Sequence, residues 1–482
     1  MPGSRMIPAR LTFALLAVLL VLRALMAALL PLSADEAYYW LWSLRPSFGY
    51  LDHPPMIAWL IAAGTALFGA TPLGVRFAGI VLSIPATWFV WRTAALLSKD
   101  RARAGLAALF FNLTLMASVE LLAATPDMPS IVTAAAMIWA LAKVQASGDG
   151  RWWLAYGIAA GLALLSKYSA LFLGLGTLVW LLLDLRAPAA DAHKKTRWLV
   201  SPWPYLAAAV ALAIFAPHLW WQSLHQWQTF QFQFSRVASG HFTLRFIGEF
   251  LAAQLGLATP LVFALMLAGL WRASRRGSDA FFLAVPVWTA AAYFLEHALH
   301  DRVQGNWPAF LYPALAVLAA DAAARWRRTA WAAMAVAAAL LAAVYAQAQF
   351  QVLALKKDPL PRILGRDFAA VGQVTAALVK AHLADAVLTT DYETTAWLRF
   401  NQPGVPVIQV NEPRRYPDAP PAPAKLLNGR LVYLVELKRD RHPLVQRQFG
   451  YTGFPTQMQT PSSLYMLYPV ARPRRAAIGR MP

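Results

Sequence analysis

Apolar stretches close to the ~20 residues a helix needs to cross a bilayer recur along the first 350 positions. They fall near 8–31, 71–97, 104–121, 128–146, 152–166, 168–184, 199–221, 248–270, 280–297, 307–324 and 329–348. This pattern predicts an α-helical polytopic membrane protein with about eleven transmembrane helices plus interfacial ones. The fifth and sixth stretches are short and also read as one re-entrant pair. The first is too long and too Arg-containing for a simple cleaved signal peptide, and no small-residue cleavage site follows it.

Charge gives the expected orientation. Arg5 and Arg10 precede the first stretch, and every second loop is then basic: Lys99, Arg101 and Arg103; Lys143 and Arg151; Arg186, Lys194, Lys195 and Arg197; Arg272, Arg275 and Arg276; Arg325, Arg327 and Arg328. The positive-inside rule assigns these loops and the N-terminus to the cytoplasm of a bacterial inner membrane, and the rest to the periplasm. The remaining loops hold Asp35, Glu36, Asp52, His53, Glu120, Asp127, Lys167, His241, Glu249, Asp301 and Asn306. Polar chemistry is thereby expected on one face. The net charge of +20 sits in short loops between apolar runs, which favours anionic lipid headgroups over nucleic acid as partners. With no cysteine, thiolate metal sites, disulfides and cysteine nucleophiles are excluded.

Near residue 350 the composition changes. Residues 357–482 are polar and Pro-rich, with strand-like runs at 386–391, 404–410, 429–437 and 464–470 and helical patterns at 366–383 and 391–400. The expected organisation is a membrane domain over 1–350, a periplasmic α/β domain over 351–470 and a basic, disordered tail over 471–482. The α/β domain carries no Gly-rich phosphate loop and no metal-ligand spacing. It reads either as a brace for the membrane part or as an acceptor-recognition module.

The segment Ser33-Ala-Asp-Glu-Ala-Tyr-Tyr-Trp-Leu-Trp is the richest in information. Ser33 and Glu36 form a capping box, so a helix is predicted to start here. Tyr38, Tyr39, Trp40 and Trp42 suit a helix lying in the interface. Glu36 is therefore either a cap or a site carboxylate. Asp35 is either a helix-dipole partner or a site carboxylate. In Tyr50-Leu-Asp-His-Pro-Pro, two prolines start a second helix at 54–69. Asp52 and His53 stand at its beginning, where His53 is either a turn residue or directed at a ligand phosphate.

Taken together, Asp35-Glu36-Ala37-Tyr38-Tyr39-Trp40, Asp52-His53-Pro54-Pro55 and Thr125-Pro126-Asp127 resemble the bacterial GT-C glycosyltransferases. These are relatives of the protein O-mannosyltransferases and the lipid A aminoarabinose transferases. Leu164-Leu165-Ser166-Lys167-Tyr168 and Gly305-Asn306-Trp307-Pro308 extend the likeness over roughly 8–350. The resemblance implies inverting transfer of a monosaccharide from undecaprenyl phosphate to lipid A, another glycolipid or a protein. It implies Asp35 as catalytic base with Glu36 beside it, Asp127 assisting, and no cofactor. The aminoarabinose branch often has Glu-Lys-Pro-Pro where this chain has Asp52-His53-Pro54-Pro55. A fixed positive charge is thus replaced by a group charged only when its pKa is raised.

Physical reasoning supports similar chemistry. A sugar on polyprenyl phosphate is already activated, so no nucleotide is needed. A carboxylate at the interface can take a proton from an acceptor hydroxyl, or orient an acceptor that is already an ionised phosphate. The departing phosphate needs cations. Lys167, with Tyr168 beside it, is either a phosphate ligand or a lysine snorkelling to the headgroups. Arg236, His241 and Arg245, near Phe230, Phe232 and Phe234, form either a headgroup clamp or a solvated loop. Asn306 meets a sugar hydroxyl or caps a helix. Arg23, inside the first stretch, is expected to be paired for structural reasons. It lies about 18 Å of helix from Asp35, so those two are not expected partners. A divalent metal shared by Asp35, Asp127 and His53 stays open, although nothing in their spacing demands one. The alternatives in function are a lipid-linked glycan transporter, which would gather charge near the midplane, and an oligosaccharide ligase or polymerase.

Overall fold

The computed structural model describes residues 8–184, 198–235, 242–275, 277–355, 358–366, 368–416, 419–436, 445, 447–460, 463–474 and 479–481. The chain divides into two compact units. The first comprises Met1–Ala28, Phe48–Leu60 and Arg76–Tyr345; the second comprises Leu29–Ser47, Ile61–Val75 and Ala346–Pro482. The second unit therefore takes in the first loop's helix as well as the C-terminal region.

Helices run in the order α1 (Ala9–Leu29), α2 (Ala34–Ser43), α3 (Met56–Phe68), α4 (Pro72–Ser98), α5 (Arg101–Leu113), α6 (Leu115–Glu120) and α7 (Asp127–Ser147). They continue with α8 (Trp152–Ser166), α9 (Ala170–Asp184), α10 (Trp203–Leu224), α11 (Gln228–Ser235), α12 (Arg245–Ala258), α13 (Pro260–Ala273), α14 (Phe281–His297), α15 (Tyr312–Ala323) and α16 (Arg327–Phe350). Five of them (α1, α4, α7, α10 and α16) are long and apolar enough to cross a membrane. The protein is a multi-pass membrane protein.

Two expected spans are broken. The stretch at 248–270 is α12 and α13, which meet at 106°. The cause is Thr259-Pro260: proline disfavours helical backbone before it, and Thr259 adopts φ 68° and ψ 142°. The stretch at 104–121 breaks at Thr114, which is extended and caps α6 by accepting from Ala117 N. The short fifth and sixth stretches are α8 and α9, which meet at Lys167. In the first unit, α8 packs on α10 through Gly157 and Gly161, where any Cβ would collide with Ala207 and Ile214. Arg23 is buried in α1 and donates to Asn112 Oδ1 at 3.3 Å, the structural pairing its position demands.

In the second unit a mixed sheet is built from β1 (Ala386–Thr389), β2 (Val407–Gln409), β3 (Leu431–Glu436), β4 (Phe449–Thr452), β5 (Thr456–Gln459) and β6 (Leu464–Pro473). Its order is β2-β1-β3-β6-β4, with β5 also on β6. β1 pairs in parallel with β2 and β3, and β6 runs antiparallel to β3. Buried on both faces, β1 and β3 read as continuous apolar runs, as central strands do. Helices α17 (Phe368–Lys380) and α18 (Tyr392–Asn401) pack through Phe368, Val371, Trp397 and Leu398 against Val387, Val432 and Leu434. α2 lies on α18, with the Trp40 and Phe400 rings 5.0 Å apart. The expected disordered tail is partly built in: β6 continues to Pro473, and Arg480 bridges Gln409 and Pro421.

Candidate functional site

Asp127 is the first residue of α7, set there by Pro126 at the helix start. It is 3% exposed. Lys167 ends α8 in extended backbone. This turn aims its ammonium at Asp127, with Nζ 2.7 Å from Oδ1 and 2.8 Å from Oδ2. Asn306 Nδ2 donates to Asp127 Oδ2 at 2.9 Å. Three residues separated by 40 and 179 positions thus meet at one carboxylate. An ammonium carries three donors, and two contacts to Asp127 leave one for a ligand oxygen.

Next to Lys167, the Tyr168 hydroxyl lies 2.6 Å from His218 Nε2, and His218 Nδ1 lies 2.7 Å from the Phe48 carbonyl. A carbonyl only accepts, so Nδ1 carries the proton and Nε2 accepts from Tyr168. Gln222, one turn beyond His218, donates to the Tyr168 hydroxyl at 3.2 Å and accepts from Thr229 N at 3.3 Å. Thr229 donates to the Tyr50 carbonyl at 2.6 Å, and Gln233 to the Asp52 carbonyl. Side chains of α10 and α11 therefore grip alternate carbonyls 48, 50 and 52. That strap delivers the Asp52-His53 turn, which Tyr50 N closes on the His53 carbonyl at 3.3 Å. Asp52 is buried and His53 half-buried.

The other sites suggested by the sequence fall elsewhere. Arg245 sits on an exposed ion triad, pairing at 2.8 Å with Glu249, which also pairs at 2.8 Å with Arg302. Arg236 and His241 lie outside the described residues. His218, Gln222, Thr229 and Gln233 were missed by sequence reasoning. The signal for the first two was legible: two polar residues four apart, on one face of an apolar helix.

In the second unit, Ser33 and Glu36 form the capping box: Ser33 N donates to Glu36 Oε2 at 2.9 Å, and Glu36 N to Ser33 Oγ at 3.2 Å. Glu36 is buried as a cap. Asp35 lies beside it in the first turn, and its Oδ1 accepts from the Tyr392 hydroxyl at 3.1 Å. Aromatic rings surround this point, with Tyr38 4.8 Å from Tyr392 and 5.8 Å from Tyr416. Among the described residues, no group of three or more His, Asp or Glu is arranged to hold a metal ion.

Residues 52–221 match the family described as dolichyl-phosphate-mannose-protein mannosyltransferase. The lipid A galacturonosyltransferase RgtD of Rhizobium johnstonii is 29% identical over 293 residues, which is 59% of this chain; the chain spans 59% of that relative's length. Crystal structures of ArnT from Cupriavidus metallidurans share the fold. The apo form superposes with a TM-score of 0.65 and the form bound to undecaprenyl phosphate with 0.64, each at 17% identity over 95% of this chain and 98% of ArnT. The chain is a multi-pass membrane protein with the GT-C fold of ArnT, and over part of its length it is similar to the mannosyltransferase family and to the lipid A galacturonosyltransferase.

Proposed function

We propose that this protein transfers a monosaccharide from undecaprenyl phosphate to a hydroxyl of lipid A on the periplasmic face of the inner membrane. The observation that carries the reading is the Lys167–Asp127–Asn306 cluster. It is a largely shielded cation held in place by its own buried carboxylate. Such a group suits a phosphate that gains charge as its bond to the sugar breaks. The two named relatives supply the rest: one acts on lipid A, and the other was crystallised with undecaprenyl phosphate.

In this mechanism the acceptor oxygen attacks the anomeric carbon as the bond from that carbon to the phosphate oxygen breaks. Asp35 takes the acceptor proton, and the leaving phosphate keeps the electron pair. A single in-line displacement inverts the anomeric centre. Asp127 serves by holding Lys167, and Asn306 by holding Asp127. The strap over Phe48–Asp52 presents Asp52 and His53 to the donor headgroup. In this reading the C-terminal region from 351 is a periplasmic domain.

The test is mass spectrometry of lipid A from cells lacking the protein, cells expressing it and cells expressing Asp35→Asn. A sugar-sized mass addition seen only with the intact protein supports the reading. Galacturonic acid, the sugar in the relative's name, is the first mass to look for. Three identical lipid A profiles would sink it.

A further inference from the structure

Tyr392 is a residue that the catalytic scheme above does not use, yet its position is tightly determined. It begins α18, directly after Asp391, which caps that helix by accepting from Thr394 N. Its backbone N donates to Glu412 Oε2 at 2.9 Å. Glu412 also pairs with Arg415 Nε at 3.3 Å. The Arg415 guanidinium in turn covers the Tyr392 ring at 4.2 Å and the Tyr38 ring at 5.7 Å. The Tyr38 ring packs 4.8 Å from the Tyr392 ring. The phenol is thus held by its backbone, by both ring neighbours and by its helix cap. Its hydroxyl ends 3.1 Å from Asp35 Oδ1, a residue 357 positions away in sequence.

We propose that Tyr392, supplied by the C-terminal domain, is a positioning residue for Asp35: its hydroxyl fixes the carboxylate's rotamer and stabilises the ionised form that accepts a proton. The inference rests on the assignment of Asp35 as base. Burial pushes the Tyr392 pKa well above the usual phenol range, and the charges of Asp35 and Glu393 push the same way, against Arg415. The phenol therefore keeps its proton at any working pH. An ionised carboxylate can only accept, so the direction of the bond is settled. A hydrogen bond to the charged form favours that form. The charged groups that act on the Tyr392 phenol are Asp35, Glu393 and Arg415, and Arg415 is itself paired with Glu412. The C-terminal domain thereby acquires a role beyond bracing: it completes the environment of the proposed base.

The test uses the full-length protein in lipid nanodiscs. Infrared pH titration, taken as wild type minus Asp35→Asn, isolates the Asp35 carboxylate band without any substrate. In Tyr392→Phe the midpoint of that band should move up by roughly half to one pH unit, since the bond that favours the ionised form is lost. Membranes carrying Tyr392→Phe should modify lipid A about tenfold more slowly, the loss of one hydrogen bond to a charged group. An unmoved infrared midpoint overturns the inference, whatever happens to activity or thermal stability. Full transfer activity in Asp35→Asn overturns both the inference and the assignment of Asp35. An inactive Asp35→Asn with an unmoved midpoint in Tyr392→Phe overturns the inference alone.

Discussion

Asp127 and Asp35 stand at the first turn of a helix in different units, and their partners differ in kind. Asp127 is met by a cation and an amide: Lys167 reaches both oxygens, and Asn306 adds a third contact. Asp35 is met by a neutral phenol. A buried carboxylate gripped by an ammonium is a structural holder, because removing either partner strands a charge. The phenol beside Asp35 orients the carboxylate without adding a charge of its own. The comparison fits the two jobs proposed for these carboxylates: holding a cation for the donor phosphate, and moving a proton.

The sharpest way to break this comparison is Asp35→Asn. Asparagine keeps an oxygen for Tyr392 and loses the base. Transfer should fall by roughly 100-fold or more with thermal unfolding unchanged. A rate near wild type, measured in membranes with saturating donor, would remove proton transfer from Asp35. Lys167→Met should act mainly on stability and donor binding. It leaves Asp127, at 5% side-chain exposure, without its cation, at a cost of about 3–5 kcal/mol. The double variant Lys167→Met with Asp127→Leu should recover most of that loss in detergent unfolding while donor binding stays weak. No recovery would mean that Lys167 and Asp127 do not act as one energetic unit.

Smaller effects sharpen the picture of the strap. Tyr168→Phe removes the 2.6 Å hydroxyl contact to His218 Nε2 and leaves it only the Gln222 amide at 3.2 Å, a loss of about 1 kcal/mol. Hydrogen exchange at residues 48–53 should then accelerate while α7 stays protected. Uniform acceleration would deny a local role. Smallest of all is Arg302→Ala. It opens the exposed pairing with Glu249, and exposed pairs contribute little. An unchanged unfolding temperature is expected, and a drop of several degrees would show that the triad ties loops together.

Much of the architecture could be read before the fold was seen. The apolar stretches, the capping box at Ser33 and Glu36, and the central strands β1 and β3 all follow from local patterns of period and composition. The two edge strands β4 and β5 were not legible. Phe449–Thr452 and Thr456–Gln459 are short and largely exposed, so they carry no apolar run to mark them. The break at Thr259 was half legible, since a Thr-Pro step announces a bend without saying how far it turns, whereas Thr114 is followed by Leu115 and carries no such mark. In the site, Lys167, Tyr168, Asp127 and Asn306 were each singled out, but Arg245 belongs to a surface triad. The polar face His218–Gln222 was overlooked because it sits inside a span whose average is apolar.

What the sequence determined by itself is therefore local and periodic: which segments favour lipid, where helices begin, and which loops carry ionisable groups. These depend on neighbours within a turn or two along the chain. Only the tertiary structure decided that Lys167 answers Asp127, that His218 grips the Phe48 carbonyl, and that a tyrosine from the C-terminal domain meets Asp35. Those pairings span 40, 170 and 357 positions. A buried polar group must find its partner wherever packing brings one within about 3 Å, and no local pattern records that meeting.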